Sequence, residues 1–132
     1  MSTRSKGKTL ERRAEAWFTS QGCLTWRPHP GVIFIGPGRW ISQSQDIFGA
    51  FDLIAYGGRF YLIQVTTVDS SYALPSHKKR KVESIDISPD DACLCVMAWE
   101  KRKGWTFWVM KSDRSWERLD EHEFVSKIMV RR

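Results

Sequence analysis

The chain of 132 residues is poor in the side chains that build the commonest metal and redox sites. It has three cysteines and three histidines. Cys23 stands alone, and Cys93 and Cys95 lie in the apolar run ACLCVMAW, so no CxxC or zinc-ligand spacing exists. The cysteine count is odd, which does not suit a disulfide framework; small core residues in a reducing compartment are expected. His29, His77 and His122 are scattered without partner spacing for a metal or a triad and read as surface or loop residues. Ser42 and Ser44 lie in a polar loop with no nucleophile-elbow pattern. No apolar run approaches the roughly 20 residues of a membrane span. The opening MSTRSKGK is polar and basic with no apolar signal core behind it, so a cytoplasmic protein is expected. There is no internal repeat and no low-complexity segment.

What is present is aromatic mass and positive charge. Seven tryptophans and 42% hydrophobic residues can build one sizeable core. Lys and Arg number 21 against 15 Asp and Glu, a net charge of +6. Such a balance suits a polyanionic partner, most often nucleic acid, although many basic proteins are merely soluble.

Residues 1–8 read as a flexible basic arm, and 9–132 as a single domain. Thr9 can cap a helix carrying Leu10, Ala14, Trp17 and Phe18 at helical spacing, ended by Gly22. Cys23 to Trp26 can form a short strand. Pro28, Pro30, Gly31, Gly36, Pro37 and Gly38 then interrupt the chain around the strand VIFIG, and RWISQSQ is either loop or a short edge element. FDLIAY and RFYLIQVTT are strands joined at Gly57 and Gly58, apolar enough on both faces to lie mid-sheet. SHKKRKVESI is a helix capped by Ser76. ACLCVMAW and WTFWVM are two more strands; whether the first runs parallel or antiparallel is not legible. DEHEFVSKIMVRR is a short helix capped by Asp120. The order α, β, β, β, α, β, β, α fits a mixed sheet of about five strands flanked by helices.

The strand RFYLIQVTT holds a polar break at Gln64 and Thr66. A two-residue loop would set Asp52 opposite Ile63 and turn Gln64 to the other face. A three-residue loop, 57–59, sets Asp52 opposite Gln64 and puts Asp52, Gln64 and Thr66 on one face. A carboxylate and an amide oxygen together suit Mg2+; the alternative is that both only bond backbone groups at a strand end. Asp46 is either a second carboxylate or a plain turn residue. Glu11 and Glu15 share a helical face; Glu15 is the ligand candidate and Glu11 the partner of a basic neighbour. The run Lys78, Lys79, Arg80, Lys81 faces phosphate or solvent. Trp40 beside Arg39 in a Gly/Pro loop could stack on an exposed base.

These stretches resemble the PD-(D/E)XK nuclease superfamily, and within it the small archaeal-type Holliday-junction resolvases. RRAEAWFTSQG is similar to their opening helix, with Glu15 at the place of the glutamate near the metal. FDLIA is similar to their Asp strand, with Asp52 as the aspartate. LIQVTT stands where the family has apolar-apolar-E-x-K, KKRKVESI where it has its next helix, and ACLCVMAWEKRKGWTFWVM where it has its last two strands. The likeness spans roughly residues 9–110. It implies a restriction-endonuclease-like α/β fold and an Mg2+- or Mn2+-dependent DNA endonuclease acting on four-way or other branched DNA, as a homodimer. By this resemblance Asp52, Gln64, the Val65 carbonyl and Asp46 hold the metal. Glu15, Thr66 and Lys79 complete the catalytic set, with Lys78 as another source of the lysine charge. Lys78, Lys79, Arg80, Lys81, Arg4, Lys6, Lys8, Arg39 and Trp40 contact DNA. The family's glutamate and lysine are Gln64 and Thr66 here, so the rival expectation is a DNA-binding module with the nuclease fold and little activity.

Overall fold

The computed structural model describes residues 3–28, 31–43, 46–68 and 76–129. The chain opens with helix α1 (Thr3–Ser20), followed by β1 (Leu24–Trp26), β2 (Gly31–Gly36), β3 (Arg39–Gln43), β4 (Leu53–Tyr56) and β5 (Phe60–Val68). Helix α2 (Ser76–Glu83), β6 (Cys93–Glu100), β7 (Gly104–Met110), β8 (Trp116–Asp120) and α3 (Glu121–Phe124) complete it, α3 running into a π-helical turn, Val125–Met129.

Six strands form one sheet in the order β1-β4-β5-β6-β7-β8, and β2 and β3 pair separately as a hairpin. RWISQ is thus a strand. β5 and β6 run parallel, from Tyr61 opposite Cys93 to Val68 opposite Glu100, and α2 lies in the crossover between them. The other main-sheet pairs are antiparallel. The sixth strand, β8, is absent from the sequence reading. It is an edge strand with one buried residue, Leu119, so its sequence WERLD carries almost no apolar alternation.

Helix α1 begins at Thr3, six residues ahead of the Thr9 cap. Residues 3–8, expected as an arm, therefore continue the helix. Its other end follows its sequence: Gly22, at φ +86°, lets its N–H reach Thr19 O (3.0 Å) and the Cys23 N–H reach Phe18 O (3.1 Å). That pair of bonds is the Schellman ending that a left-handed glycine permits. Asp120 caps α3 in a reciprocal capping box with Glu123.

Alternation along the strands gives the sheet two faces. One carries Leu53, Ala55, Tyr61, Ile63, Val65, Met97, Phe107 and Leu119 against Ala14 and Phe18 of α1 and Phe124 of α3. The other carries Leu62, Leu94 and Val96 against Val82 of α2, with Ala50 and Phe51. Cys23, Cys93 and Cys95 are buried and not joined in disulfides, and burial pushes the Cys95 thiol well above its ordinary range. They serve as small core residues. No helix among the described residues is long and apolar enough to cross a membrane.

Candidate active site

The β4–β5 hairpin decides whether its polar residues meet. Tyr56 pairs with Phe60 and Leu53 with Ile63, so the loop is the three residues 57–59, with Gly58 at φ +81°. An odd loop puts Asp52 beside Gln64. The Asp52 N–H donates to Ile63 O (2.8 Å), while Oδ2 of its side chain accepts from Gln64 Nε2 and from the Val65 N–H, both at 2.9 Å. Gln64 Nε2 also reaches Val65 O at 3.4 Å. Gln64 is 2% exposed, and its carbonyl oxygen Oε1 is buried with no hydrogen-bond partner. A buried amide oxygen without a donor is costly and rare, and oxygen of this kind is what a hard cation takes.

Burial pushes the Asp52 carboxyl up to about 7, and the negative charges of Glu11 and Asp46 push in the same direction. The Val65 N–H and the charge of Lys78 pull it back. The charges that act on Asp52 therefore come from one carboxylate on α1, one in the segment before β4, and one lysine in the first turn of α2.

Two expectations shift here. Glu15, the α1 ligand candidate, is instead committed to β1. It accepts from Arg27 Nε at 2.9 Å and from Thr25 Oγ1 at 3.1 Å, and so ties the helix to the edge strand. The α1 carboxylate whose charge Asp52 feels is Glu11, one turn earlier. Likewise Lys78 bears on Asp52 rather than Lys79, which the sequence reading had placed in the catalytic set. Residues four apart on a helix share a face, and only the position of the helix against the sheet separates them.

Asp46 is half-buried, as are Thr66, Lys78 and Lys79, while Arg80 and Lys81 are exposed. The Thr66 hydroxyl donates to Thr67 O at 3.3 Å and supplies no positive charge. Among the described residues no three His, Cys, Asp or Glu side chains converge as a metal cluster. The oxygens at hand are therefore Asp52 and Val65 O, joined by Gln64 Oε1 once its amide turns over, since Nε2 is the atom that faces Asp52 and Val65 O; Glu11 and Asp46 add negative field. One firm carboxylate, two neutral oxygens and nearby negative charge fit Mg2+ or Mn2+, which keep several waters. Arg4, Lys6 and Lys8 lie within α1, and Arg39 and Trp40 open β3; their side chains, like His29 and Ser44 as a whole, fall outside the described residues.

A mixed sheet with a β-hairpin, a parallel crossover through α2 and an opening helix packed on one face is the restriction-endonuclease-like arrangement. The whole architecture matches the Holliday junction resolvase of the archaeal hyperthermophile Archaeoglobus fulgidus, a structure known at 1.6 Å resolution. The match has a TM-score of 0.52 over 89% of this chain and 90% of that chain, at 14% identity. No protein-family model and no curated protein matches the sequence. The fold is thus that of the archaeal resolvases.

Proposed function

We propose that the protein is a metal-dependent DNA endonuclease that hydrolyses phosphodiester bonds in branched or otherwise structured DNA. The observation that carries this reading is the Asp52 cluster. A mostly buried carboxylate accepts from the amide nitrogen of Gln64, whose oxygen is buried without a partner, inside a field of two further carboxylates. A structural role alone would be served better by a neutral side chain at position 52. The fold supports the reading, as does the net charge of +6.

Asp52, Gln64 Oε1 and Val65 O would hold Mg2+ or Mn2+, with Glu11 and Asp46 adding charge. When bound, the ion supplies a water of lowered pKa and neutralises charge on the scissile phosphate. Gln64 and Thr66 stand where the family has its glutamate and lysine. Lys78 takes over the lysine's part, since it is the cation nearest in effect to Asp52. The basic run Lys78–Lys81 and the basic residues of α1 hold phosphates and position the duplex. Paired cuts in the two strands of a junction would require a twofold dimer.

The alternative reading, a DNA-binding module with little activity, is favoured by two observations. Asp52 Oδ2 already accepts two N–H groups, and Thr66 brings no cation. One assay separates the two: cleavage of duplex, single-stranded and four-way DNA with Mg2+ and with Mn2+, by the natural chain and by Asp52→Asn. Cleavage that Asp52→Asn loses supports the nuclease. DNA binding without cleavage by either protein supports the module.

A further inference from the structure

Five large apolar side chains are exposed among the described residues: Leu24, Trp26, Phe48, Tyr56 and Phe60. Four lie on neighbouring strands. Leu24 is paired with Tyr56 and Tyr56 with Phe60, and the Tyr56 and Phe60 rings touch at 4.7 Å. Phe48 stands apart. It sits in the turn just before β4, at the opposite end of that strand from the Gly57–Arg59 loop, between Asp46 and Asp52. It is 65% exposed.

The backbone at Phe48 is also left-handed, at φ +55°. A bulky residue seldom adopts that region, and such strain persists only where the surroundings enforce it. The turn does enforce it. Ile47 and Phe51 exchange both backbone hydrogen bonds (2.8 and 3.0 Å), Gly49 N–H reaches Asp46 O, and Ala50 N–H reaches Ile47 O. Ala50 and Phe51 are buried in the core beneath. The turn is therefore fixed at its base, and its tip holds an aromatic ring out in water.

Arg114 provides the contrast. It too is left-handed, at φ +66°, but its guanidinium returns three hydrogen bonds, to the carbonyl of Glu83 at the end of α2 and to those of Ile85 and Ile87 just after it. Phe48 makes no ring contact with any described aromatic, and the fold gains nothing visible from displaying it. An exposed ring on a turn held by its backbone hydrogen bonds, four residues before Asp52, has, on the proposed function, the composition of a base-stacking contact. Apolar side chains wedged at a disturbed base step work in the same way.

We propose that Phe48 stacks on a nucleobase that has left the duplex stack next to the Asp52 site, and so favours DNA with interrupted pairing over continuous duplex. This rests on the DNA-directed reading of Asp52. The turn is preformed, so the ring pays little ordering cost on binding. Continuous duplex offers it no open base face, whereas a bulged or branch-point base does.

The test is binding, measured without divalent cation so that cleavage plays no part. The probe is a duplex carrying one unpaired 2-aminopurine, beside a fully paired duplex of the same length. Phe48→Gly deletes the ring and suits the left-handed backbone; Phe48→Tyr keeps the ring. Expected for Phe48→Gly is a loss of roughly ten-fold in affinity for the bulged duplex, unchanged affinity for the paired one, and loss of the 2-aminopurine emission change. Phe48→Tyr should behave as the natural chain. Equal affinities of Phe48→Gly and the natural chain for the bulged duplex would overturn the proposal. So would equal losses on both duplexes, or a melting temperature lowered by Phe48→Gly, which would show the ring serving the fold. An inactive natural chain in the cleavage assay would remove the nuclease reading and leave this binding result standing.

Discussion

The two faces of the central sheet are built to different ends. The face under α1 and α3 is an aromatic core. Phe107 and Phe124 stack at 4.1 Å with rings 9° apart, Trp17 lies 4.8 Å from Phe107, and Phe18 lies 5.5 Å from Tyr61. No ionised group interrupts its cluster of buried residues. The other face is covered by the eight-residue α2, which buries only Val82. There the chain places a carboxylate it must strain to keep charged and an amide oxygen with no partner. One face gives stability and the other gives some of it up, which is the ordinary relation between a scaffold and a site.

The sharpest way to break that comparison is to neutralise Asp52. Asp52→Asn keeps the shape, and its Oδ1 can accept the same two N–H groups. On the proposed function, cleavage should fall on the order of 10³-fold, since losing a metal ligand would cost several kcal/mol in the transition state. Rates with saturating Mn2+ measure it. An undiminished rate would place the chemistry elsewhere.

The opposite face is tested by Phe124→Ala. Phe124 is fully buried and touches the rings of Trp17, Phe18, Tyr61 and Phe107. Truncating such a residue costs about 3–5 kcal/mol. Denaturant unfolding should show that loss, while the rate per folded molecule stays unchanged.

Stability against pH joins the two faces. A carboxyl raised from 3.8 to about 7 in the folded chain favours the protonated form. Its contribution is therefore full below about pH 4 and is lost as pH rises through about 7, up to about 4 kcal/mol in all. Asp52→Asn should remove that slope. It should match the natural chain near pH 4 and exceed it in stability near pH 8. Unfolding at the two pH values checks the sign, and a variant less stable at pH 8 would contradict it.

How much of this was legible in the sequence follows from what local pattern can encode. The hairpin register was, because strand faces alternate and only an odd loop brings Asp52 to Gln64. The Gly22 stop and the Asp120 cap were legible, since each depends on its own residue's backbone chemistry. The choice between Glu11 and Glu15 was not: both lie on one helical stripe, and the partners that engage Glu15, Thr25 in the edge strand β1 and Arg27 just after it, are set by tertiary packing. Lys78 and Lys79 stayed open as sources of the positive charge, because which of two neighbours turns toward Asp52 depends on how α2 sits on the sheet, which no local pattern encodes. β8 was invisible because it buries one residue, and the parallel sense of β6 because a run buried on both faces has no period to read.

A smaller effect is expected from Gln64→Glu. It replaces the buried, unpartnered Oε1 end with a second carboxylate beside Asp52. Mn2+ affinity should rise, by about ten-fold, because carboxylate count tunes hard-cation sites. Without metal the two acids repel, so the pH-dependent loss of stability should deepen. Calorimetric titration reads the first and unfolding the second. A flat Mn2+ affinity would show that Gln64 only braces the strand end.

The finest distinction lies between adjacent lysines. Lys78 lowers the Asp52 pKa by its charge, and Glu11 raises it. Lys78→Ala should therefore move the pH at which Mn2+ binding develops upward, and Glu11→Gln should move it downward. Lys79→Ala should leave that pH in place. If its ammonium meets a phosphate of duplex DNA, its removal should instead flatten the salt dependence of DNA binding by about one unit. Opposite shifts from Lys78 and Glu11, with none from Lys79, would tie the α1 carboxylate and the first turn of α2 to one site. Identical profiles for Lys78→Ala and Lys79→Ala would mean that α2 acts only as a phosphate-binding surface. The charge opposite Asp52 would then have to come from DNA-bound cations rather than from the chain.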